Sequence, residues 1–370
     1  MEAGRGPTEQ AMATLEEKVG QMFIVGLQGE ALAHEEKAII ERYAFGGFIL
    51  FNHNCCEPVQ ILRLCRALWE TANRHPPFIS IDEEGGRVHR LPNPFTHFPP
   101  AARLGQIGDL KLVYRTARAT ARELALAGIN LDFAPVLDVN SNPNNPVIGD
   151  RSFAADPQKV RTLGGRWARG LREGGIIPCG KHFPGHGDTD QDSHFALPVV
   201  HRPLAELEKI ELPPFISACR NKIESLMTAH VLYRSLDPEL PATLSQKIIA
   251  GLLRHKLNYN GVVFSDDMEM KAISDNYRQE DAVSLCVRAG IDVMLFCHDL
   301  ARAIDAFEFL CSQSEKDERV RTRVEKSYKR ITKLKQDFLK EFTGTKTDQL
   351  AKRFARLNHQ RIVKEIYGSL

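Results

Sequence analysis

Residues 180–194, GKHFPGHGDTDQDSH, gather three histidines, three aspartates and a lysine among glycines and a proline. Glycine and proline deny the segment a regular element, and neither a core nor a solvated charge run needs such a mixture. It therefore reads as a loop that holds polar groups close to something. Within it, Asp192 stands two residues before His194. A carboxylate so placed can hold one imidazole nitrogen, fix the tautomer and favour the protonated ring, giving a proton donor that can later act as a base. Taken alone, an aspartate at this spacing more often bonds backbone amides in a turn.

Asp266 follows the apolar run VVFS at 262–265. An acid at the mouth of a buried strand suits nucleophilic attack or stabilisation of a developing cation, with helix capping through Ser265 or Asp267 as the plain alternative. The adjacent Asp267 leaves open which of the two faces a site. Asp82, Arg90, Arg151, Lys181 and His182 are donors and acceptors of the kind that grip sugar hydroxyls, although an isolated arginine is more often a structural ion pair. His182, His186, Asp188 and His194 also have to be weighed as metal ligands. Pro184 and Gly185 break the helix that would bring the H-x-x-x-H pair onto one face, which counts against a metal site, although a loop could still wrap an ion.

The elements that must carry these residues are legible as apolar runs. Strands are expected over 21–27, 46–51, 77–81, 129–135, 176–180, 225–228, 261–265 and 292–296, and amphipathic helices alternate with them. Eight such pairs predict an α/β fold, a (β/α)₈ barrel, with a doubly wound sheet as the rival. In a barrel the chemistry lies at the C-terminal ends of the strands, and Asp82, Lys181, His182, His230 and Asp266 each fall at or just after one. The expected organisation is an N-terminal extension over residues 1–14, the barrel over 15–312, and charged helices over 313–370 packed on it. In those helices Val320, Val324, Ile331, Leu334 and Phe338, then Leu350, Phe354, Leu357, Ile362 and Ile366, recur at helical spacing.

Bulk composition narrows the function classes. A net charge of +2 over 370 residues favours neither nucleic acid nor an anionic membrane surface as partner. No run is long and apolar enough for a membrane span. Eight cysteines lie scattered without a CxxC pair, which suits reduced, buried thiols and a cytoplasmic location.

The motifs together resemble family 3 glycoside hydrolases of the β-N-acetylglucosaminidase (NagZ) type. The resemblance rests on KHFPGHGDT at 181–189 with DSH at 192–194, GGFILF at 46–51, DEEGGRVHR at 82–90, VIGDRSF at 147–153 and VVFSDDM at 262–268. MTAH at 227–230 with LPAT at 240–243 also fits, so the match spans about residues 15–300. It implies a retaining hydrolase that removes terminal β-linked N-acetylglucosamine. Asp266 would be the nucleophile and His194, polarised by Asp192, the acid/base, with Asp82, Arg90, Arg151, Lys181 and His182 on the sugar. The same resemblance implies no cofactor and a muropeptide of cell-wall recycling as the carbohydrate substrate. A phosphorylase on the same barrel and a silent sugar sensor remain as alternatives, and oligomeric state is left open.

Overall fold

The computed structural model describes residues 13–72, 75–193 and 195–369, so the expectations for residues 1–12 and for His194 fall outside the described residues. Ten strands follow in chain order. They are β1 (Phe23–Gly26), β2 (Gly47–Leu50), β3 (Phe78–Ile81), β4 (Leu131–Asp132), β5 (Ile177–Phe183), β6 (Val199–Val200), β7 (Ser225–Thr228), β8 (Leu232–Tyr233), β9 (Val262–Asp267) and β10 (Val293–Phe296). Eight of them close a barrel in the order β1-β2-β3-β4-β5-β7-β9-β10, all parallel, with β1 returning onto β10 through Val25↔Phe296. That closure excludes the doubly wound sheet. The strands are short apolar runs because helices cover their outer faces and side chains fill the interior. Inside, the ring of Phe264 meets Phe78 and Phe133 edge-on, with centroids 5.8 Å and 5.6 Å apart.

Local chemistry fixes the helices between strands. Asp109, Asp156 and Asp299 accept backbone amides at the starts of Leu110–Ala127, Pro157–Glu173 and Leu300–Lys316. Two expected elements differ, and one strand pair is additional. The strand at 129–135 pairs regularly only over Leu131–Asp132, because Pro135 has no N–H to continue the ladder. Between β6 and β7 the expected helix, which spans residues 203–221 in the sequence pattern, divides into Leu204–Leu207 and Leu212–Arg220. The β6–β8 pair, joined through Val199↔Leu232, is too short for any periodic signal in the sequence.

The expected C-terminal periodicity is present. Val320, Val324, Ile331 and Leu334 are buried on Glu318–Phe338, and Leu350, Phe354, Ile362 and Ile366 on Leu350–Leu357 and Gln360–Gly368. Glu318–Phe338 also closes the N-terminal end of the barrel. Its Lys335 inserts a buried Nζ 2.6 Å from Gln21 Oε1 and 2.7 Å from Gly46 O, over the Phe78 ring, where burial pushes its pKa well down. Beside it, buried Asp292 takes Arg323 at 2.9 Å, Arg330 at 3.2 Å and Arg254. Among the described residues all eight cysteines are free thiols; six are buried, Cys311 is half-buried and Cys56 is exposed.

Candidate active site

At the C-terminal ends of the strands lies a cleft of ≈ 280 Å³. Asp82, Arg90, Arg151, Lys181, His182, Asp192 and Asp266 all line it, although they come from four separate stretches of chain. His194, expected here, lies outside the described residues. His230 is buried just behind, with Nε2 2.9 Å from the Asp267 carbonyl and Nδ1 2.8 Å from Thr243 Oγ1, so it braces the end of β9.

Two strand irregularities decide what faces the cleft. Along β5 and β7 the register runs Gly180↔Leu226 and then Phe183↔Thr228, three residues against two. Along β10 and β9 it runs Val293↔Phe264 and then Leu295↔Asp267, again one residue extra on one strand. Each is a bulge, and a bulge re-aims side chains that strict alternation would send to opposite faces. Lys181 and His182 both line the cleft as a result, and so do Asp266 and Asp267. The Lys181–His182 peptide is cis.

The charged groups interlock. Lys181 Nζ sits 2.6 Å from Asp82 Oδ1 and 2.6 Å from Glu84 Oε1. Arg151 donates to both Glu84 oxygens at 2.8 Å, a two-pronged pair. Burial works to neutralise Glu84, but Arg151 and Lys181 outweigh it and hold the carboxyl well below the usual range. Burial likewise opposes the charge on Lys181, and Asp82 and Glu84 overcome it and raise its pKa. The turn that carries these acids needs Gly85 and Gly86 at φ +86° and +57°, where a side chain would also strike Pro99, Phe98 and Pro100.

Asp138, Glu83 and Glu84 were not singled out in the sequence, because each is an ordinary acid in an apolar or acidic context. Asp138 is fully buried and accepts His182 Nδ1 at 2.7 Å, the His182 amide at 3.1 Å and the His186 amide at 2.6 Å. Burial pushes its pKa up, yet His182 and these donors leave it below the ordinary value. It thereby fixes the His182 tautomer. Glu83 accepts His89 Nδ1 at 2.6 Å and the Arg90 amide at 3.1 Å. Arg90 Nη1 lies 3.4 Å from Asn52 Oδ1, and its buried Nε has no hydrogen bond among the described residues, so its fork keeps donors for a ligand.

The two adjacent acids on β9 are shifted in opposite directions. Burial raises Asp266, but the imidazoles of His182 and His230, the Asp267 amide and Lys181 bring it below the ordinary carboxylate value. Asp267 is pushed up to about 6, chiefly by burial and against the Glu269 amide that it accepts at 3.1 Å. Of the residues weighed as metal ligands, His186 has Nδ1 2.9 Å from Thr189 Oγ1 and Nε2 3.2 Å from Ser193 Oγ, while burial lowers its pKa to about 4. Asp188 pairs with Arg202. These groups are committed to protein partners in different directions.

The arrangement can hold a neutral polyhydroxylated ring by many fixed donors and acceptors beside an ionised carboxylate. Comparison with known proteins agrees. The sequence profile described as the glycosyl hydrolase family 3 N-terminal domain matches residues 14–334. The β-hexosaminidase of Alkalilimnicola ehrlichii is 37% identical over 282 residues, 75% of this chain and 80% of that protein. Among solved structures, a family 3 β-N-acetylglucosaminidase from a Paenibacillus species superposes with a TM-score of 0.86 at 38% identity, over 93% of this chain and 68% of that one. NagZ from Neisseria gonorrhoeae, solved with N-trifluoroacetyl-D-glucosamine, gives 0.77 at 30% identity over 94% and 97% of the two chains. The closed barrel, the sugar-sized polar cleft and these similarities lead to one conclusion: the chain belongs to glycoside hydrolase family 3 and is a β-N-acetylhexosaminidase.

Proposed function

We propose that the protein is a retaining exo-β-N-acetylglucosaminidase that removes N-acetylglucosamine from muropeptides of cell-wall recycling, in the cytoplasm, with Asp266 as nucleophile. The observation that carries this reading is Asp266 lining the cleft with its carboxyl held below the ordinary range against burial, beside an Asp267 that burial pushes up to about 6. In the first step an Asp266 oxygen bonds the anomeric carbon while the bond to the leaving oxygen breaks. His194 gives that oxygen its proton. In the second step water loses a proton to His194 and attacks the anomeric carbon, which releases the sugar and restores the Asp266 carboxylate. Asp192, in the same cleft, supplies the negative charge that stabilises the imidazolium.

A histidine in this role avoids setting a second full negative charge beside Asp266. Asp82, Arg90, Arg151, Lys181 and His182 bind the hydroxyls and the acetamide of the non-reducing sugar. Arg87 also lines the cleft, where it pairs with Asp150 at 3.0 Å and so ties the Asp82–Arg90 stretch to the loop that carries Arg151. The test is release of p-nitrophenol from the β-N-acetylglucosaminide and the β-glucoside, followed by hydrolysis of a muropeptide. Turnover of the first and third is expected, with Asp266→Ala lowering kcat by about 10⁴-fold or more. A substantial residual rate in that variant would move the nucleophile elsewhere.

A further inference from the structure

Residues 335–370 lie beyond the stretch that matches the family profile, and their helices reach the segment that leaves β3. That segment, residues 82–100, brings Asp82, Glu84, Arg87 and Arg90 to the cleft without a helix or strand of its own. Its shape is therefore set by what it touches. Phe354, on Leu350–Leu357, packs edge-on against buried Phe95, with ring centroids 4.8 Å apart at 75°. His359, which opens Gln360–Gly368, places Nδ1 2.8 Å from Glu123 Oε1, with both side chains buried. The same carboxylate accepts the Thr96 hydroxyl and the Thr96 amide, each at 2.7 Å.

The contacts continue inward. His97, next in the chain, lies with Nε2 2.7 Å from the Gly86 carbonyl and stacks on His89 at 4.2 Å with the rings almost parallel. His89 reaches Glu83, whose other oxygen accepts the Arg90 amide. An unbroken path of packed and hydrogen-bonded groups thus joins the C-terminal helices to the arginine that lines the cleft.

We propose that the C-terminal helices clamp the sugar-binding segment, with Phe354 and His359 as positioning residues that preorganise Arg90; this rests on the assignment of Arg90 to the sugar. Freeing the 95–97 turn lets the segment sample other shapes, and that conformational entropy must be lost again when the sugar binds. The contacts concerned touch the non-reacting part of the ring, so their loss weakens ground state and transition state alike.

The test measures kcat and KM on p-nitrophenyl β-N-acetylglucosaminide for Phe354→Ala, Phe354→Leu, His359→Ala and His359→Gln in the full chain. The alanine variants are expected to raise KM about five- to tenfold with kcat within twofold, the size of a lost contact or hydrogen bond. His359→Gln, which keeps a donor, is expected to restore most of the KM. Arg115→Ala, which breaks the exposed bidentate pair with Glu365 on the same helix, is expected to leave KM unchanged. Unchanged KM in soluble, folded Phe354→Leu and His359→Gln alongside unchanged KM in the alanine variants would overturn the clamp, even with a lowered melting temperature. If an alanine variant does not fold, KM raised in Phe354→Leu supports the clamp and KM at the wild-type level refutes it. Arg90→Ala reports on the underlying assignment: a wild-type KM there would take the inference down with it, whereas a raised KM there with none in the helix variants faults the clamp alone.

Discussion

Asp266 and Asp267 share a residue type, a strand end and a cleft, yet their surroundings shift their pKa values in opposite directions. The imidazoles of His182 and His230 and the Lys181 ammonium act on Asp266, whereas Asp267 answers mainly to burial and to Glu269. The difference has a thermodynamic consequence. Asp267 titrates at about 6 in the folded protein, above the ordinary value of about 3.9 in the unfolded chain. The folded state therefore binds more protons than the unfolded state between those values. Stability falls as pH rises through that window, and the penalty is complete above the folded pKa. Asp267→Asn, which keeps an oxygen for the Glu269 amide, is expected to stabilise the protein at pH 8 by on the order of 2 kcal/mol and far less at pH 4. Thermal melts at the two pH values check this, and an equal effect at both would contradict it. The sequence could present the pair of acids but not rank them, because the ranking depends on histidines brought in from β5 and the loop after β7.

The strands themselves were legible, since continuous apolar runs between glycines and prolines mark buried parallel strands. Their irregularities were not. Period-two alternation would send Lys181 and His182 to opposite sides of β5, and it is the extra residue in the register against β7 that brings both to the cleft. Asp138 was equally silent in the sequence, lying between Leu137 and Val139 with no motif to flag it. Its function is visible only once its carboxylate is seen collecting two backbone amides and an imidazole from the end of β5 and the loop that follows. Asp138→Asn removes the charge and turns an NH₂ toward one of those donors. Such a buried network is expected to lose about 2–4 kcal/mol in urea unfolding at pH 7. Because the folded pKa of Asp138 is depressed, its contribution is fully present above the unfolded value of about 3.9 and is lost as pH falls below it. The gap between wild type and variant should therefore narrow in acid; a constant gap would show that shape alone, and not charge, was removed.

Across the whole molecule the two ends of the barrel divide the labour between chemistry and stability. The C-terminal end carries the cleft. The N-terminal end is sealed by Glu318–Phe338, through Lys335 and through the arginines that converge on Asp292. The helical spacing of Val320, Val324, Ile331 and Leu334 made that helix legible as one lying on the barrel, but a lysine reads as solvated and gave no hint of its burial. Asp292→Ala leaves three arginines facing one another without a counter-charge, which is expected to cost about 3–5 kcal/mol of stability while KM and kcat of the folded protein stay near wild type. Calorimetry with steady-state kinetics on the same sample checks both halves.

The central claim is that Asp266 becomes covalently attached to the sugar. The most direct measurement is mass spectrometry of the protein after incubation with an activated 5-fluoro N-acetylglucosaminyl donor, which slows the second step more than the first. One added glycosyl group per chain is expected, on the peptide that contains Asp266, with none in Asp266→Ala. A label on Asp267, or turnover of the donor with no covalent adduct at any time, would contradict it.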